Sequence, residues 1–246
     1  MVIQEEIEFE RSISDRESHI ALPIEIEYDF NTGEKIITVY SFCLDTAEEF
    51  EKRFACDMFS ESAVEYLEKC IAPLMKKFDF REGVHKIYFE YGIEKEDKSK
   101  ILPECELIDS LEGETWGDIS LDEFELDPDD NFDRMAVVRQ DGKIVAYAGI
   151  NDISPDESFE ITVECDGLYR KRGYAASCLS LLAGYLISHG KRVTYICDEK
   201  NTASQKTAES VGFILYKKYL PYVFYRSEDA AETEEKEKNE EIINGL

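Results

Sequence analysis

Leu168-Tyr169-Arg170-Lys171-Arg172-Gly173-Tyr174-Ala175 sets three cations beside a glycine, directly ahead of an apolar helical run. The chain around it carries a formal net charge of −27. A basic knot in so acidic a setting answers to something local. It stands where a strand hands over to a helix, so backbone N–H groups lack intrahelical acceptors and the positive end of the helix dipole points outward. That arrangement is a cradle for phosphate, and the ligand it implies is a pyrophosphate-bearing cofactor. A plain turn with solvated cations is the alternative, but it gives the glycine and its three cations no role.

The pattern on either side supports the handover. Ser158 to Cys165 reads as a strand, with Phe159, Ile161 and Val163 facing one way. Ahead of it, Met135 to Val138 and Ile144 to Ile150 form a hairpin around the tight turn Asp141-Gly142. Beyond the knot, Tyr174 to Ser188 carries Ala175, Leu179, Leu182 and Leu186 on one helical stripe and closes at His189-Gly190. Val193 to Cys197 is a buried strand, and Asn201 to Ser210 a second helix ended by Gly212. Phe213 to Tyr219 and Tyr222 to Arg226 read as two last strands separated by Pro221.

The first part of the chain has its own order. Ile24, Ile26, Tyr28 and Phe30 alternate with acids, and Asn31-Thr32-Gly33 turns the chain into a strand from Lys35 to Phe42. Asp45 is placed to cap a helix from about Thr46 to Met58, and Ser62 with Glu65 has capping-box spacing for another ending near Phe78. Val84 to Ile93 is strand-like, and a charged loop, Glu94 to Lys100, follows. Glu112 to Asp133 is acidic and poorly periodic, with Asp127-Pro128-Asp129-Asp130 as a breaker, which marks a boundary or a covering loop. The expected domains are therefore an N-terminal α/β region over 1–110, a second domain over 111–226 and an acidic, mobile tail over 227–246.

Composition narrows the function classes. Lys and Arg number 28 against 55 Asp and Glu, which argues against nucleic acid or an anionic membrane as a general partner. Seven cysteines, none closer than thirteen residues to the next, and three histidines make no metal-binding spacing, so no metal site is expected. The first residues, Met1 to Phe9, lack the basic and apolar regions of a signal peptide. No apolar run approaches the ~20 residues of a membrane span. A cytoplasmic protein with reduced cysteines is the expectation.

Three pieces, in this order, resemble one family. Arg170-Lys171-Arg172-Gly173-Tyr174-Ala175 fits the R/Q-x-x-G-x-G/A pyrophosphate motif of the GNAT N-acetyltransferases. Asn201-Thr202-Ala203-Ser204, with Val211-Gly212-Phe213 closing the helix, resembles that family's asparagine-led helix and its Gly-Phe ending. Asp141 to Ala146 is similar to the hairpin between that family's second and third strands. The resemblance spans about Met135 to Arg226. It implies an α/β (α+β) fold with a mixed, mostly antiparallel twisted sheet flanked by helices, here with an additional N-terminal α/β region.

The resemblance also implies chemistry. Acetyl-CoA would be the acyl donor, its pyrophosphate held by backbone N–H groups of Arg170 to Ala175 and by the side chains of Arg170, Lys171 and Arg172. Gly173 would allow close backbone approach, and Asn201 would belong to the cofactor site. The strand holding Val163 and Cys165 would part from Val193 to Cys197 and pair with the pantetheine arm. Cys165 itself reads as a spectator, since no adjacent base is legible.

Glu160 and Glu164, four apart on one strand and so on one face, are the candidate general bases; ordinary solvent-facing glutamates, or a water chain, are the alternatives. The family's tyrosine general acid falls at Ala208 here, so Ser204, one turn earlier, or Tyr216 on the next strand would take its place. Tyr216, Tyr219, Tyr222 and Tyr225 either line an acceptor pocket or pack the sheet. Trp116 is either part of a lid or an apolar anchor.

The expected activity is direct transfer of an acetyl group to an amine on a small molecule, peptide or protein, a cationic acceptor suiting the acidic chain. The N-terminal region would shape or cover the acceptor site. The alternatives are a CoA-binding but idle module acting through a protein partner, a regulatory protein with no cofactor, and transfer of a longer acyl chain.

Overall fold

The computed structural model describes residues 2–6, 21–76, 80–82, 86–95, 97–119, 126, 132–154 and 156–226. The expected tail from Ser227, the Asp127–Asp130 breaker, the expected strand start at Val84 and the expected helix end at Phe78 lie outside them. The chain divides into two compact units, Met1–Phe89 with Lys217–Leu246, and Glu90–Tyr216.

The first unit holds β1 (Val2–Glu6), β2 (Ala21–Asp29), β3 (Lys35–Tyr40), α1 (Leu44–Phe54), α2 (Glu61–Met75), β4 (Phe80–Glu82) and most of β11 (Ile214–Arg226). Its strands lie in the order β1-β3-β2-β11, with β4 paired to the end of β11. All these pairs are antiparallel except β1 with β3. The β2–β3 hairpin sets Ile24 opposite Val39 and Ile26 opposite Ile37, and all four side chains are fully buried. Phe50 from α1, Leu67, Ile71 and Met75 from α2, and Leu220 and Tyr222 from β11 complete that core. Each such side chain contributes about 1.5–3 kcal/mol of burial. The hairpin turn is built by Asp29, whose carboxylate accepts from the N–H groups of Asn31 and Thr32 at 2.7 and 2.9 Å.

Three sequence expectations change here. Helix α1 starts at Leu44, so Asp45 lies inside its first turn and faces the helix dipole instead of capping it. The cap residue of α2 is Ser60 rather than Ser62, its hydroxyl donating to the Asp57 carbonyl at 2.9 Å. Pro221 does not separate two strands: the register runs through it as Leu220↔Ile26, Pro221↔Glu25 and Tyr222↔Ile24, shifting only between Tyr222 and Phe224. Proline lacks a ladder donor, but its fixed φ suits an extended chain next to an irregularity.

The second unit contains β5 (Tyr88–Ile93) from Glu90, β6 (Cys105–Ile108), β7 (Met135–Gln140), β8 (Lys143–Ile153), β9 (Ser158–Cys165), α3 (Tyr174–Ser188), β10 (Arg192–Asp198) and α4 (Thr202–Val211). Strand order is β5-β10-β9-β8-β7-β6. Pairs β6–β7, β7–β8 and β8–β9 are antiparallel, and β9–β10 is parallel. Strand β6 was not expected from the sequence. Both Asp141 and Gly142 have positive φ, the mirror-image turn that suits a twisted hairpin.

Helix α3 buries Leu179, Leu182 and Leu186 as its stripe requires, and it also buries Ser177 and Ser180. Those serines are satisfied by the charged loop and the residues just after it: Leu102 N–H donates to Ser177 Oγ at 2.9 Å, and Ser180 Oγ donates to the Asp97 carbonyl. The loop thus covers a face of α3 that periodicity alone leaves outside. The fold is the expected mixed, mostly antiparallel sheet with flanking helices. Among the described residues, no helix is long and apolar enough to cross a membrane.

Candidate active site

Strands β9 and β10 pair only over Ser158–Glu160 against Arg192–Thr194. Beyond that both strands continue, β9 to Cys165 and β10 to Asp198, without further pairing between them among the described residues. On its other edge β9 stays zipped to β8, as Ala148↔Val163, Tyr147↔Glu164 and Ala146↔Cys165. The sheet therefore opens on one side of Val163 and Cys165, where backbone groups can meet an extended ligand. Burial pushes the Cys165 thiol up to about 11, which keeps it protonated and suits a spectator.

The basic knot stands at the end of β9. Asp166, 4 % exposed, accepts from Leu168 N–H at 2.8 Å and from Asp118 N–H at 2.9 Å, fixing the short turn Gly167–Tyr169. Arg170 Nε then donates to the Cys165 carbonyl at 3.4 Å, and the Arg172 guanidinium lies 5.0 Å from the centre of the Tyr169 ring. Gly173, at φ +84°, is the N-cap residue of α3 and brings no side-chain acceptor to the first turn. A Cβ at Gly173 would meet nothing within 4 Å, so the demand for glycine comes from the left-handed backbone. Ser177 N–H is met by the Gly173 carbonyl at 2.9 Å; the N–H groups ahead of it, from Tyr174 and Ala175, belong to the first turn that a helix leaves without internal acceptors. Arg170, Lys171 and Arg172 are all exposed beside them. Donors and cations of this kind fit a pyrophosphate.

The model of the acetyltransferase (GNAT) family matches residues 100–213, a stretch that contains the opening, the knot and both helices. Over 96 residues the chain is 33% identical to an uncharacterized N-acetyltransferase, YjdG, of Bacillus subtilis (strain 168); the match covers 37% of this chain and 56% of that protein. Among solved structures, the chain is similar to a protein described as an acetyltransferase from the GNAT family of Novosphingobium aromaticivorans DSM 12444, with a TM-score of 0.45 and 15% identity over 61% of this chain and 68% of that one. A GCN5-related N-acetyltransferase-like protein from Streptococcus suis 89/1591 gives a TM-score of 0.43 and 15% identity, covering 66% of this chain and 68% of that one.

Within the matched stretch, Glu160 and Glu164 share the face of β9 that carries Tyr147 of β8. Glu160 accepts from the Asn151 amide at 2.9 Å. Burial holds its carboxyl above the usual 4.5, with Asp152 and Glu90 adding to the rise. Thr194, the register partner of Glu160 on β10, has a buried hydroxyl with no hydrogen-bond partner among the described residues. Trp116 bridges to Ile144 and meets the Tyr147 ring edge-on at 6.2 Å, inside a cluster with Met135 and Val137. It is an apolar anchor.

The candidate acids have partners of their own. Ser204 lies in the first turn of α4, where its N–H meets the Asn201 side chain at 3.0 Å; Asn201 is thus the helix cap. The Ser204 hydroxyl bonds the hydroxyl of Tyr195, a residue of β10 that is 3 % exposed. Burial pushes the Tyr195 phenol up to about 12. Tyr216 donates to Glu90 of β5, and burial followed by that carboxylate raises its phenol strongly. Ala208 is fully buried. In the first unit, Tyr219 stacks on Tyr88 at 5.5 Å and Tyr222 is buried, so both pack the sheet.

Sequence reading missed Asp166, Asn151, Glu90 and Tyr195. Only Asp166 left a local trace, an acid immediately before a turn; Asn151 and Glu90 are brought in by strand pairing and Tyr195 by the docking of α4, and none of these shows in a local pattern.

Proposed function

We propose that the GNAT domain binds acetyl-CoA and transfers its acetyl group directly to a primary amine. The observation that carries this reading is the three-residue pairing of β9 with β10, followed by an opening that ends at a left-handed glycine and three exposed cations. Acetyl-CoA would supply an activated acyl group as a thioester. The first-turn N–H groups of α3, with Arg170, Lys171 and Arg172, bind the pyrophosphate. Val163 and Cys165 offer backbone groups to the pantetheine arm. Glu160, with Glu164 on the same face, takes the proton of the acceptor ammonium so that a neutral amine is presented. Ser204, backed by Tyr195, or else Tyr216, returns a proton to the departing sulfur. The acceptor is a small amine or a peptide or protein amine, and the reaction is placed in the cytoplasm, with the cysteines reduced.

Thermal melting with and without acetyl-CoA tests the binding half. A ligand bound only by the folded state at a hundred times its dissociation constant adds about 2.7 kcal/mol. The midpoint rise is expected in the wild type and absent in Arg170→Glu and Gly173→Asp. No rise at saturating acetyl-CoA overturns the reading. Release of free thiol in the presence of amines then tests transfer.

A second reading, a CoA-binding module without turnover that acts through a protein partner, draws on Ala208, where the family resemblance expects a tyrosine. It shares the midpoint rise and differs by giving no thiol release with any amine.

A further inference from the structure

Cys105 and Cys178 are 73 positions apart, yet their sulfur atoms lie 3.8 Å from each other. Cys105 belongs to β6 and is half-buried; Cys178 sits in the second turn of α3 and is fully buried. The surroundings treat the two sulfurs unequally. The Cys178 thiol, with help from the Ser177 hydroxyl, lowers the Cys105 pKa against the opposing effects of burial, Glu104 and Glu106. Cys178 is pushed the other way, first by burial and then by Cys105. Cys43, Cys165 and Cys197 are all raised by burial. Cys105 is thus favoured as the thiolate, partly open to solvent, with a protonated thiol in van der Waals contact. This is the layout of an attacking and a resolving cysteine.

We propose that Cys105 and Cys178 form a reversible disulfide when the protein meets a hydroperoxide. The Cys105 thiolate attacks one peroxide oxygen: an S–O bond forms, the O–O bond breaks, and the departing hydroxide or alkoxide takes a proton. Cys105 is then a sulfenic acid. The Cys178 sulfur attacks the Cys105 sulfur: the S–S bond forms, the S–O bond breaks, and the leaving hydroxide takes the Cys178 proton as water. Two electrons pass from the two thiols to the peroxide, and a dithiol restores both thiols. The sulfurs must close from 3.8 Å to about 2.0 Å to form the bond. The bond would tie β6 to the helix whose N-terminus forms the anion cradle, and the proposal stands whether or not the domain transfers acetyl groups.

The test uses the full chain and hydrogen peroxide, followed by alkylation of remaining thiols, proteolysis and mass spectrometry. A peptide pair joining Cys105 to Cys178 within one chain is expected, lost after dithiothreitol. In Cys178→Ser the cross-link disappears and dimedone labels Cys105. Cys178→Ala, which keeps an apolar side chain at a buried position, serves as the second variant and gives the same label. Cys105 driven to its sulfinic acid in the wild type without a cross-link, or a disulfide joining other cysteines, overturns the proposal.

Discussion

Asp166 holds Asp118: the carboxylate accepts the Asp118 backbone N–H at 2.9 Å while its other oxygen takes the Leu168 N–H at 2.8 Å. One buried side chain thereby joins the stretch around Trp116 to the turn that leads into the basic knot. Asp166→Ala leaves both donors without this acceptor, at about 1–3 kcal/mol for each that stays buried. A lower thermal midpoint and a weaker acetyl-CoA-induced rise are expected together. An unchanged ligand response would show that the turn keeps its shape without the carboxylate.

Gly117 gives the same contact a second test. A Cβ there would fall 2.6 Å from the Asp166 Oδ2 atom and 3.3 Å from the Ile144 carbonyl. Gly117→Ala is expected to cost about 1–3 kcal/mol by overpacking. In an Asp166→Ala background most of that cost disappears, so the double variant is more stable than the sum of the singles predicts. Denaturant melts of the four proteins measure the coupling, and strict additivity would refute it.

Gly173 separates backbone strain from charge. Forcing an ordinary residue into its left-handed conformation costs roughly 1–2 kcal/mol, and asparagine tolerates that region better. Gly173→Asn is expected to fold with a midpoint near the wild type, Gly173→Ala with a lower one. Gly173→Asp adds a negative charge beside the cradle and loses acetyl-CoA binding most completely. Equal ligand responses across the three variants would mean that no anion binds there.

How far the sequence reached can be judged from particular residues. Tyr174 to Ser188 and Ser158 to Cys165 were legible to the residue, because alternation and a helical stripe report burial directly. The Ser62 cap was misread because Ser60 and Ser62 are both competent, and only the path of the preceding turn, with Asp57 accepting from Ser60, decides between them. Pro221 was misread because a proline within a paired strand is legible only once its neighbours are known. At the site, the motif residues Arg170 to Ala175 were visible because they are contiguous in one turn. Glu90 with Tyr216, Asn151 with Glu160, and Tyr195 with Ser204 were not, since each pair is made by sheet order or helix docking.

Glu160 predicts a pH dependence. Its folded-state carboxyl is raised above 4.5, mainly by burial. A raised carboxyl contributes stability that is fully present below the unfolded value and lost as pH rises through the folded value. Glu160→Gln keeps an oxygen for Asn151 and has no charge to bury. The variant and wild type should melt together below 4.5 and diverge above it, with the variant more stable at neutral pH. Acetyl transfer by the variant should fall at every pH. A Gln variant less stable than the wild type at neutral pH would sink the burial argument, and full activity would remove Glu160 as the base.

Ser204 and Tyr216 compete for the proton-returning role, and their partners make the two separable. Ser204→Ala strands the buried Tyr195 hydroxyl at a cost of about 1–3 kcal/mol, whereas Tyr195→Phe removes that hydroxyl and costs less. If the Ser204–Tyr195 pair returns the proton, both variants lower kcat with little change in the acetyl-CoA KM, the mark of a contact made only in the transition state. Because Tyr195 is pushed up to about 12, the wild type should show no alkaline loss near the ordinary tyrosine value of 10.0. Tyr216→Phe instead removes one donor to Glu90, so that carboxylate bears more strongly on Glu160, and the effect should reach the acidic limb of the rate profile while leaving kcat at the plateau. A plateau loss confined to Tyr216→Phe would assign the acid to β11 and leave Ser204 as part of the helix start.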